Sequence, residues 1–134
     1  SPGIGHRHDW ECIAVWVKQG ADTPSYLSAS AHGGFSTHPI ADVPMSGQRV
    51  QVVYHKDGAS THAFRFAKWG ETPENDTGAW HQENLLTWDN LAPNVRNVLN
   101  GSDWGDANLP LQDSKFNDTL DKAKPSGIPF APYA

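Results

Sequence analysis

The sequence has little cysteine, no basic run and no long apolar stretch, and each shortage excludes a class of protein. Its one cysteine, Cys12, excludes a disulfide framework formed within the 134 residues and leaves either a free thiol or half of a bridge to a residue elsewhere. The ten Lys and Arg residues are scattered among 15 acidic ones, which argues against a nucleic-acid footprint and a polybasic membrane anchor. No apolar run approaches the roughly 18 residues of a membrane span.

Glycine, proline, tryptophan and histidine are abundant, with 12 Gly, 10 Pro, 6 Trp and 7 His. Frequent Gly and Pro indicate many turns, which favours short strands over a helical bundle. The length suits one domain. Three N-glycosylation sequons, at Asn75, Asn100 and Asn117, are compatible with secretion.

Alternation of side chains predicts two strands near the start of the chain. Residues 10–18 are apolar on both faces after Glu11, which is typical of a central strand buried on both sides. Residues 26–31 form a second strand, which we expect to end at His32-Gly33-Gly34.

The clearest local signal is a hairpin, in which residues 49–55 run into Lys56-Asp57-Gly58 and residues 60–68 return. Asp-Gly is a favoured turn pair because both positions tolerate positive φ. In the return strand His62 shares a face with Phe64 and Phe66. We therefore expect His62 to point inward near a strand end, either as a core histidine or beside a metal site.

The C-terminal third changes to helical spacing. Residues 91–99 predict a helix with Pro93 in its first turn and Gly101 at its C-cap. Residues 113–122 predict a second helix, capped by its first or second residue.

The densest cluster of ionisable groups is Gly5-His6-Arg7-His8-Asp9-Trp10-Glu11. Asp9 and Glu11 project from one face of the predicted strand, about 6–7 Å apart. Two carboxylates on one face suit a hard cation such as Ca²⁺ or Mg²⁺. His6 would reach the site from a loop and hold a bound water, and Arg7 would orient Asp9.

A surface salt-bridge network explains the same cluster equally well. His8 falls on the Trp10 side, where a histidine usually satisfies a backbone carbonyl. His32 precedes two glycines that permit a close approach of backbone to a site, and it is otherwise a loop histidine.

Enzyme sites fit this pattern less well. His-x-His followed by Glu is similar to the cupin metal motif, but only two residues separate His8 from Glu11, and cupins use three or four. Carboxylates two apart on one strand seldom face each other across a sugar, which argues against an acid–base pair for glycoside hydrolysis. A Ser–His–Asp site has no nucleophile elbow, and Cys12 lies between bulky strand residues.

The heptapeptide of residues 5–11 resembles the GHRHDWE motif of the necrosis- and ethylene-inducing-like proteins. Further segments resemble the same family, at residues 30–34, 60–63, 86–99, 104–105 and 116–123. The resemblance covers essentially the whole chain, and members carry a further portion of sequence before the motif. Residues 1–134 are then expected to be a single domain of this family without its N-terminal part.

The resemblance implies a β-sandwich flanked by short helices, similar to actinoporins and fungal lectins. It implies a secreted, non-enzymatic cytolysin of plant pathogens that binds plant plasma-membrane glycosylinositol phosphorylceramides and permeabilises the membrane. It also implies a divalent-cation site with Asp9 as the direct ligand, His6 and Glu11 as metal-site and cytolytic residues, and His62 lining the same site. A second family ligand is an Asp just before the position that matches Ser1.

Two other functions stay open at this point. One is a lectin-like elicitor that triggers plant immunity without damaging membranes, and the other is a metal-dependent hydrolase of a glycan or lipid headgroup. A piece of the domain that lacks several strands would expose sheet edges. We therefore expect either a non-covalent partnership with the N-terminal segment or a homo-oligomer.

Overall fold

The computed structural model describes residues 8–59 and 61–128, and this part of the chain is mostly β with two short helices. The strands are β1 (Ile13–Trp16), β2 (Tyr26–Ala31), β3 (Gly34–Pro39), β4 (Met45–Ser46), β5 (Arg49–Val50), β6 (Val52–Asp57) and β7 (Thr61–Phe66). The helices are α1 (Pro93–Gly101) and α2 (Phe116–Ala123). The predicted mostly-β class with short helices is confirmed.

Strands β1, β2 and β3 form an antiparallel sheet with β2 in the middle. His32 and Gly33 join β2 to β3 with φ angles of 50° and 76°. Positive φ at both central residues is what a type I′ hairpin turn requires. The predicted strand over residues 26–31 and its end at this turn are confirmed, whereas β3 was not predicted because its residues are largely exposed and polar.

Two apolar clusters cover opposite faces of this sheet, because strand side chains alternate between its faces. On one face Leu27 and Ala29 pack against Phe66 of the β6–β7 hairpin. On the other face Trp16 packs against Ala123 of α2 and Ile128. The sheet therefore lies between the hairpin and α2, and the stacking of hairpin on sheet is consistent with the predicted sandwich.

Ser28 fastens α2 to the sheet. Its fully buried hydroxyl accepts a hydrogen bond from Nε1 of Trp16 at 3.0 Å and donates one to the carbonyl oxygen of Ala123 at 2.6 Å. The last carbonyls of a helix have no partner within the helix. The serine therefore satisfies one of them and holds the helix end against β2.

The first strand is shorter and more exposed than predicted. It covers Ile13–Trp16 instead of residues 10–18, and among the described strands it pairs with β2 alone, so it lies at the sheet edge. Val15 and Val17 are 47% and 46% exposed. The predicted central position is therefore not seen within residues 8–59 and 61–128, because alternation reports which faces are apolar and not how many neighbouring strands are present.

Both predicted helices form, with different ends. Helix α1 begins at Pro93 as predicted, but Gly101 is its last residue, and Ser102 is the C-cap, whose N–H donates to the carbonyl of Val98 at 3.0 Å. Helix α2 begins at Phe116 without a side-chain cap. The N–H of Asp113 instead donates to Oδ1 of Asn100 at 2.8 Å. Within the described ranges, neither helix is long and apolar enough to cross a membrane.

Candidate functional site

The segment that carries the carboxylates leads into β1 and lies beside Tyr54 of β6. The Tyr54 hydroxyl donates a hydrogen bond of 2.5 Å to Oδ2 of Asp9, across 45 residues of sequence. Both side chains are open to solvent, and Tyr54 is 52% exposed. The bond therefore fixes the Asp9 carboxylate at the surface without burying it.

His62 lies next to this pair on β7. Its ring stacks on Tyr54 with centroids 5.1 Å apart and planes 20° apart. The strand register pairs Tyr54 with Phe64 and Lys56 with His62, so Tyr54 and His62 are diagonal neighbours on one face of the hairpin. His62 shares the face of Phe64 as predicted, but it is exposed and not a core residue, because the buried part of this face ends before the hairpin turn.

Glu11 is the second carboxylate of the site and is partly buried. The Ser30 hydroxyl donates to its Oε2, and the same hydroxyl accepts from the N–H of Cys12 at 2.8 Å. The middle strand β2 therefore holds Glu11 in place through Ser30. This leaves Glu11 less accessible to a ligand than Asp9.

The two carboxylates act on the same phenol. The pKa of Tyr54 is raised to about 12. The hydrogen bond to Asp9 is the largest cause, followed by partial desolvation and by the negative charges of Asp9 and Glu11. The phenol therefore remains protonated and donating at physiological pH.

His32 lies in a different contact, at the turn between β2 and β3. Its Nε2 is 2.7 Å from Oδ2 of Asp57, and both side chains are about half exposed. This contact lowers the pKa of the Asp57 carboxyl. Asp57 is three residues beyond Tyr54 on β6, roughly 10 Å along the strand. The pair joins the turn regions of the two hairpins.

His8 and Trp10 hold the motif segment against the region after α1. The Trp104 ring meets each of them edge to face, with centroids 5.0 Å from His8 and 5.1 Å from Trp10. Nε1 of Trp104 donates to the carbonyl of Leu99 at 3.2 Å. These aromatic contacts fix the chain just before and just after Asp9.

The donor chemistry near Asp9 fits a hard divalent cation. The exposed carboxylate of Asp9 and the partly buried carboxylate of Glu11 are oxygen donors of the kind that Ca²⁺ and Mg²⁺ prefer, and their charges favour a cation. Residues 8–59 and 61–128 contain no cluster of three or more His, Cys, Asp or Glu that could hold a metal by themselves. Water or residues outside these ranges would have to complete the coordination.

The structure thus brings together some of the predicted site residues and separates others. Asp9, Glu11 and His62 surround Tyr54, whereas His32 is engaged with Asp57. His6 and Arg7 lie outside the described residues.

Two residues of this corner, Tyr54 and Ser30, were not predicted. For Tyr54 the sequence did contain a signal, namely its distance from the predicted hairpin turn. Counting back from the hairpin turn places it on the face of His62, three pairs from the turn-proximal pair Asp57–Thr61. For Ser30 the sequence offers no comparable signal, because its partner Glu11 precedes the regular strand.

Comparison with known proteins shows the family. The sequence model of the family described as Necrosis inducing protein (NPP1) matches residues 1–123. The NLP effector protein Pc107869 of Phytophthora capsici is 36% identical over 130 residues, which cover 93% of this chain and 35% of that protein. The necrosis-inducing protein NPP1 of Phytophthora nicotianae is 34% identical over 119 residues, which cover 85% of this chain and 46% of that protein.

Solved structures show the same fold. NLPPya in complex with glucosamine and in complex with mannosamine superimposes with a TM-score of 0.74 at 32% identity, over 92% of this chain and 55% of that one. The non-toxic HaNLP3 protein superimposes with a TM-score of 0.71 at 28% identity, with the same coverage.

The chain spans about half the length of these solved structures, and half or less of the two effector relatives. Within that span the match includes the motif segment, the three-stranded sheet, the hairpin and both helices. This chain belongs to the necrosis-inducing protein family.

Proposed function

We propose that this chain forms the headgroup-recognition part of a secreted, non-catalytic cytolysin of plant pathogens. Its target would be the sugar headgroups of glycosylinositol phosphorylceramides in the plant plasma membrane. The observation that supports this proposal best is the exposed Asp9 carboxylate, which is held by Tyr54, a residue that also stacks on His62 and is affected by the charge of Glu11.

The residues at this corner suit a hexose. Sugar hydroxyls donate hydrogen bonds to carboxylate oxygens, and the oxygen of Asp9 that does not accept from Tyr54 meets no donor among residues 8–59 and 61–128, so it can accept such a bond. The exposed His62 ring beside it offers a flat surface of the kind that lines ligand sites. The complexes of NLPPya with glucosamine and mannosamine support a hexose as the ligand class.

A divalent cation, Ca²⁺ or Mg²⁺, is part of the proposal, with Asp9 as its direct ligand. When bound, it supplies coordination positions at which sugar hydroxyls replace water. Tyr54 holds the Asp9 carboxylate in one orientation, and Glu11 adds negative charge from its place on Ser30. His62, and His6 outside the described residues, complete the proposed surroundings.

The high pKa of Tyr54 favours a positioning role for this residue over proton transfer. A phenol with a pKa of about 12 is poorly matched to proton transfer near neutral pH, since a general acid works best with a pKa close to the working pH. Its role in the proposal is to orient Asp9.

A non-lytic, lectin-like elicitor is the second candidate function. It is favoured by the similarity of this chain to the non-toxic HaNLP3 protein, which has the same fold over 92% of the chain. Such a protein would bind the same headgroups without releasing vesicle contents.

Dye release from vesicles tests the proposal. Vesicles with plant glycosylinositol phosphorylceramides and vesicles of animal lipids are each mixed with the protein, in calcium and in a chelator. We expect release only from the plant-type vesicles and only in calcium.

Binding to plant-type vesicles without release would favour the elicitor. Release that persists in the chelator would contradict the cation site. A cleaved headgroup detected by mass spectrometry would instead establish a hydrolase.

A further inference from the structure

Three tripeptides of the chain match the acceptor pattern for N-linked glycans, and the fold treats them differently. They begin at Asn75, Asn100 and Asn117. The pattern pairs an Asn amide with a hydroxyl two residues further on, and it acts as an acceptor in surface loops of secreted proteins. The tripeptides at Asn75 and Asn117 are both Asn-Asp-Thr. A difference between these two therefore cannot come from the tripeptide itself.

The tripeptide at Asn75 lies in the loop after β7 and is open to solvent. Residues 74–79 are all exposed and form neither helix nor strand. Oδ1 of Asn75 accepts from the hydroxyl and the N–H of Thr77, at 3.1 and 3.2 Å, and from the N–H of Gly78 at 2.7 Å. Such bonds from an Asn side chain to the residues that follow it are typical of turns. The turn places the amide and the hydroxyl of the pattern side by side at the surface.

The Asn75 amide can carry a sugar without loss of the turn. Its Nδ2 donates one hydrogen bond, to the carbonyl oxygen of Ala79 at 2.9 Å. An Asn amide has two N–H groups, so one remains after a sugar is attached. Ala79 is itself exposed, so water can reach its carbonyl if that bond is displaced. The bonds that Oδ1 accepts do not involve the amide hydrogens.

The identical tripeptide at Asn117 lies inside α2. Asn117 and Thr119 are both helical, and helix residues two positions apart do not face each other. The Thr119 hydroxyl donates to the carbonyl of Lys115 at 2.8 Å instead of to its own Asn. Ser28 fixes the end of this helix to the sheet. The folded chain therefore keeps the amide and the hydroxyl of this pattern apart.

The tripeptide at Asn100 is committed to packing. Nδ2 of Asn100 donates to Oδ2 of Asp113 at 3.0 Å, and Oδ1 accepts from the N–H of Asp113 at 2.8 Å. The Ser102 hydroxyl donates to the carbonyl of Val98 at 2.6 Å. The neighbouring Gln112 is buried and donates to the carbonyl of Ser102 at 2.9 Å. A sugar on Asn100 would press against this packed segment.

We propose that Asn75 is an N-glycosylation site of the secreted protein and that it is occupied far more often than Asn100 or Asn117. Such a modification requires the secretion that is part of the proposed function. The donor is an oligosaccharide on a polyprenyl diphosphate. Nδ2 of Asn75 forms a bond to the anomeric carbon of the sugar, and the bond from that carbon to the diphosphate oxygen breaks. The amide loses one proton, and the polyprenyl diphosphate leaves.

The advantage of Asn75 holds whether the glycan is transferred before or after folding. The loop offers its amide and hydroxyl together in the folded chain. The patterns at Asn100 and Asn117 become accessible in this way only while the two helices are unfolded.

Site-by-site mass spectrometry tests the proposal. The protein is secreted from yeast behind a yeast leader and treated with peptide-N-glycosidase in heavy-oxygen water. This treatment converts each glycan-bearing Asn to an Asp that carries heavy oxygen. We expect the Asn75 peptide to be marked at least about tenfold more often than the Asn117 peptide.

Variants of the two hydroxyl positions provide matched controls. Thr77→Ala removes the hydroxyl of the loop pattern and should abolish the glycan on Asn75, whereas Thr77→Ser should retain it. Thr77 is exposed, so neither change disturbs the core. Thr119→Ala makes the same change in α2 and should leave the total glycan of the protein almost unchanged.

Short peptides separate the effect of the fold from that of flanking sequence. Peptides of residues 71–81 and 113–123 contain the two identical tripeptides without the fold, and both are incubated with microsomes that contain the transferase and its donor. We expect modification of the two peptides to agree within about threefold, since each contains the full acceptor pattern.

Three outcomes would overturn the inference. One is a secreted protein without a glycan on Asn75, and another is equal marking of Asn75 and Asn117. The third is a tenfold preference that persists between the two peptides, which would assign it to flanking residues. Glycan mass does not depend on vesicle binding. A protein that releases dye but has no glycan on Asn75 would therefore refute this inference alone, and a glycosylated protein that releases no dye would refute cytolysis alone.

Discussion

The β6–β7 hairpin contacts one carboxylate on each of its faces, and the two are held in opposite ways. On one face Glu71 accepts from both terminal nitrogens of Arg65, at 2.9 and 2.5 Å, and from the N–H of Lys68 at 2.8 Å. On the other face Asp9 accepts from Tyr54 alone among residues 8–59 and 61–128. Glu71 is largely enclosed, whereas Asp9 is exposed.

This difference separates a structural carboxylate from the carboxylate that we propose binds a ligand. Arg65 and the Lys68 N–H hold the pKa of Glu71 at about 2, because all of its contacts favour the charged form. Its oxygens are occupied by fixed donors, so it ties the chain after β7 to the strand. Within the part of the chain that the structure describes, Asp9 has one fixed donor, and its other acceptor positions meet no donor.

Asp9→Asn should give the largest functional effect. The amide keeps the shape of the side chain and an oxygen acceptor for Tyr54, but it removes the charge that a cation or sugar hydroxyl would meet. We expect binding to vesicles with plant sphingolipid headgroups to fall by more than about 100-fold, or roughly 2.7 kcal/mol. Vesicle co-sedimentation measures this loss of binding.

Folding should be almost unaffected by the same change. Surface substitutions away from buried features usually alter the free energy of unfolding by less than about 0.5 kcal/mol, which urea denaturation can check. Glu71→Gln is the matched control, since it removes one carboxylate charge from the other face. If Glu71→Gln weakened vesicle binding as much as Asp9→Asn did, the distinction between the two carboxylates would be lost.

Glu71→Gln should act on stability instead. The amide cannot accept both Arg65 nitrogens as a carboxylate does, so we expect a lower denaturation midpoint with an unchanged urea slope. The difference in stability between the parent protein and Glu71→Gln should depend on pH. The folded-state pKa is depressed from 4.5 to about 2, so the carboxylate stabilises the fold above about pH 5, and this contribution is lost as pH falls toward 2.

Urea denaturation midpoints measured between pH 7 and pH 2 test whether the stabilisation by Glu71 is lost as the pH falls. The parent protein should lose more stability over that interval than Glu71→Gln, and the two curves should converge near pH 2. Parallel curves over the whole interval would show that Glu71 does not carry the contribution.

The local elements of the fold were predictable because their signals are local. The hairpin turn at Gly58, the strand over residues 26–31 and the Pro93 start of α1 each depend on a few neighbouring residues. Strand β3 gave no signal, because only two of its six residues are even partly buried. The edge position of β1 depends on which strands lie beside it, and the alternation of its own residues does not contain that information.

The candidate site was only partly predictable for the same reason. The alternation of side chains along the strand placed His62 on the correct face. Its exposure depends on how far the core extends along the hairpin. The partner of Asp9 is 45 residues away, and the donor to Glu11 is 19 residues away on β2. Such contacts follow from strand packing and cannot be read from spacing within the motif.

Tyr54→Phe should have the smallest effect and should show what holds Asp9 in place. It removes one hydroxyl and leaves the ring stacked on His62. A hydrogen bond of this kind contributes about 0.5–1.5 kcal/mol, so we expect vesicle binding to weaken by roughly three- to tenfold.

The same contact can be read from the titration of the phenol. Ultraviolet absorbance of the parent minus that of Tyr54→Phe reports the pKa of Tyr54, which should lie near 12 and fall toward 10 in Asp9→Asn, because its largest cause is the hydrogen bond to Asp9. Since this pKa is raised in the folded state, its contribution to stability is complete below pH 10 and is lost between about pH 10 and pH 12. If Tyr54 titrated near 10 in the parent protein, its hydroxyl would not be held by Asp9 in solution, and Asp9 would be no better fixed than any other surface carboxylate.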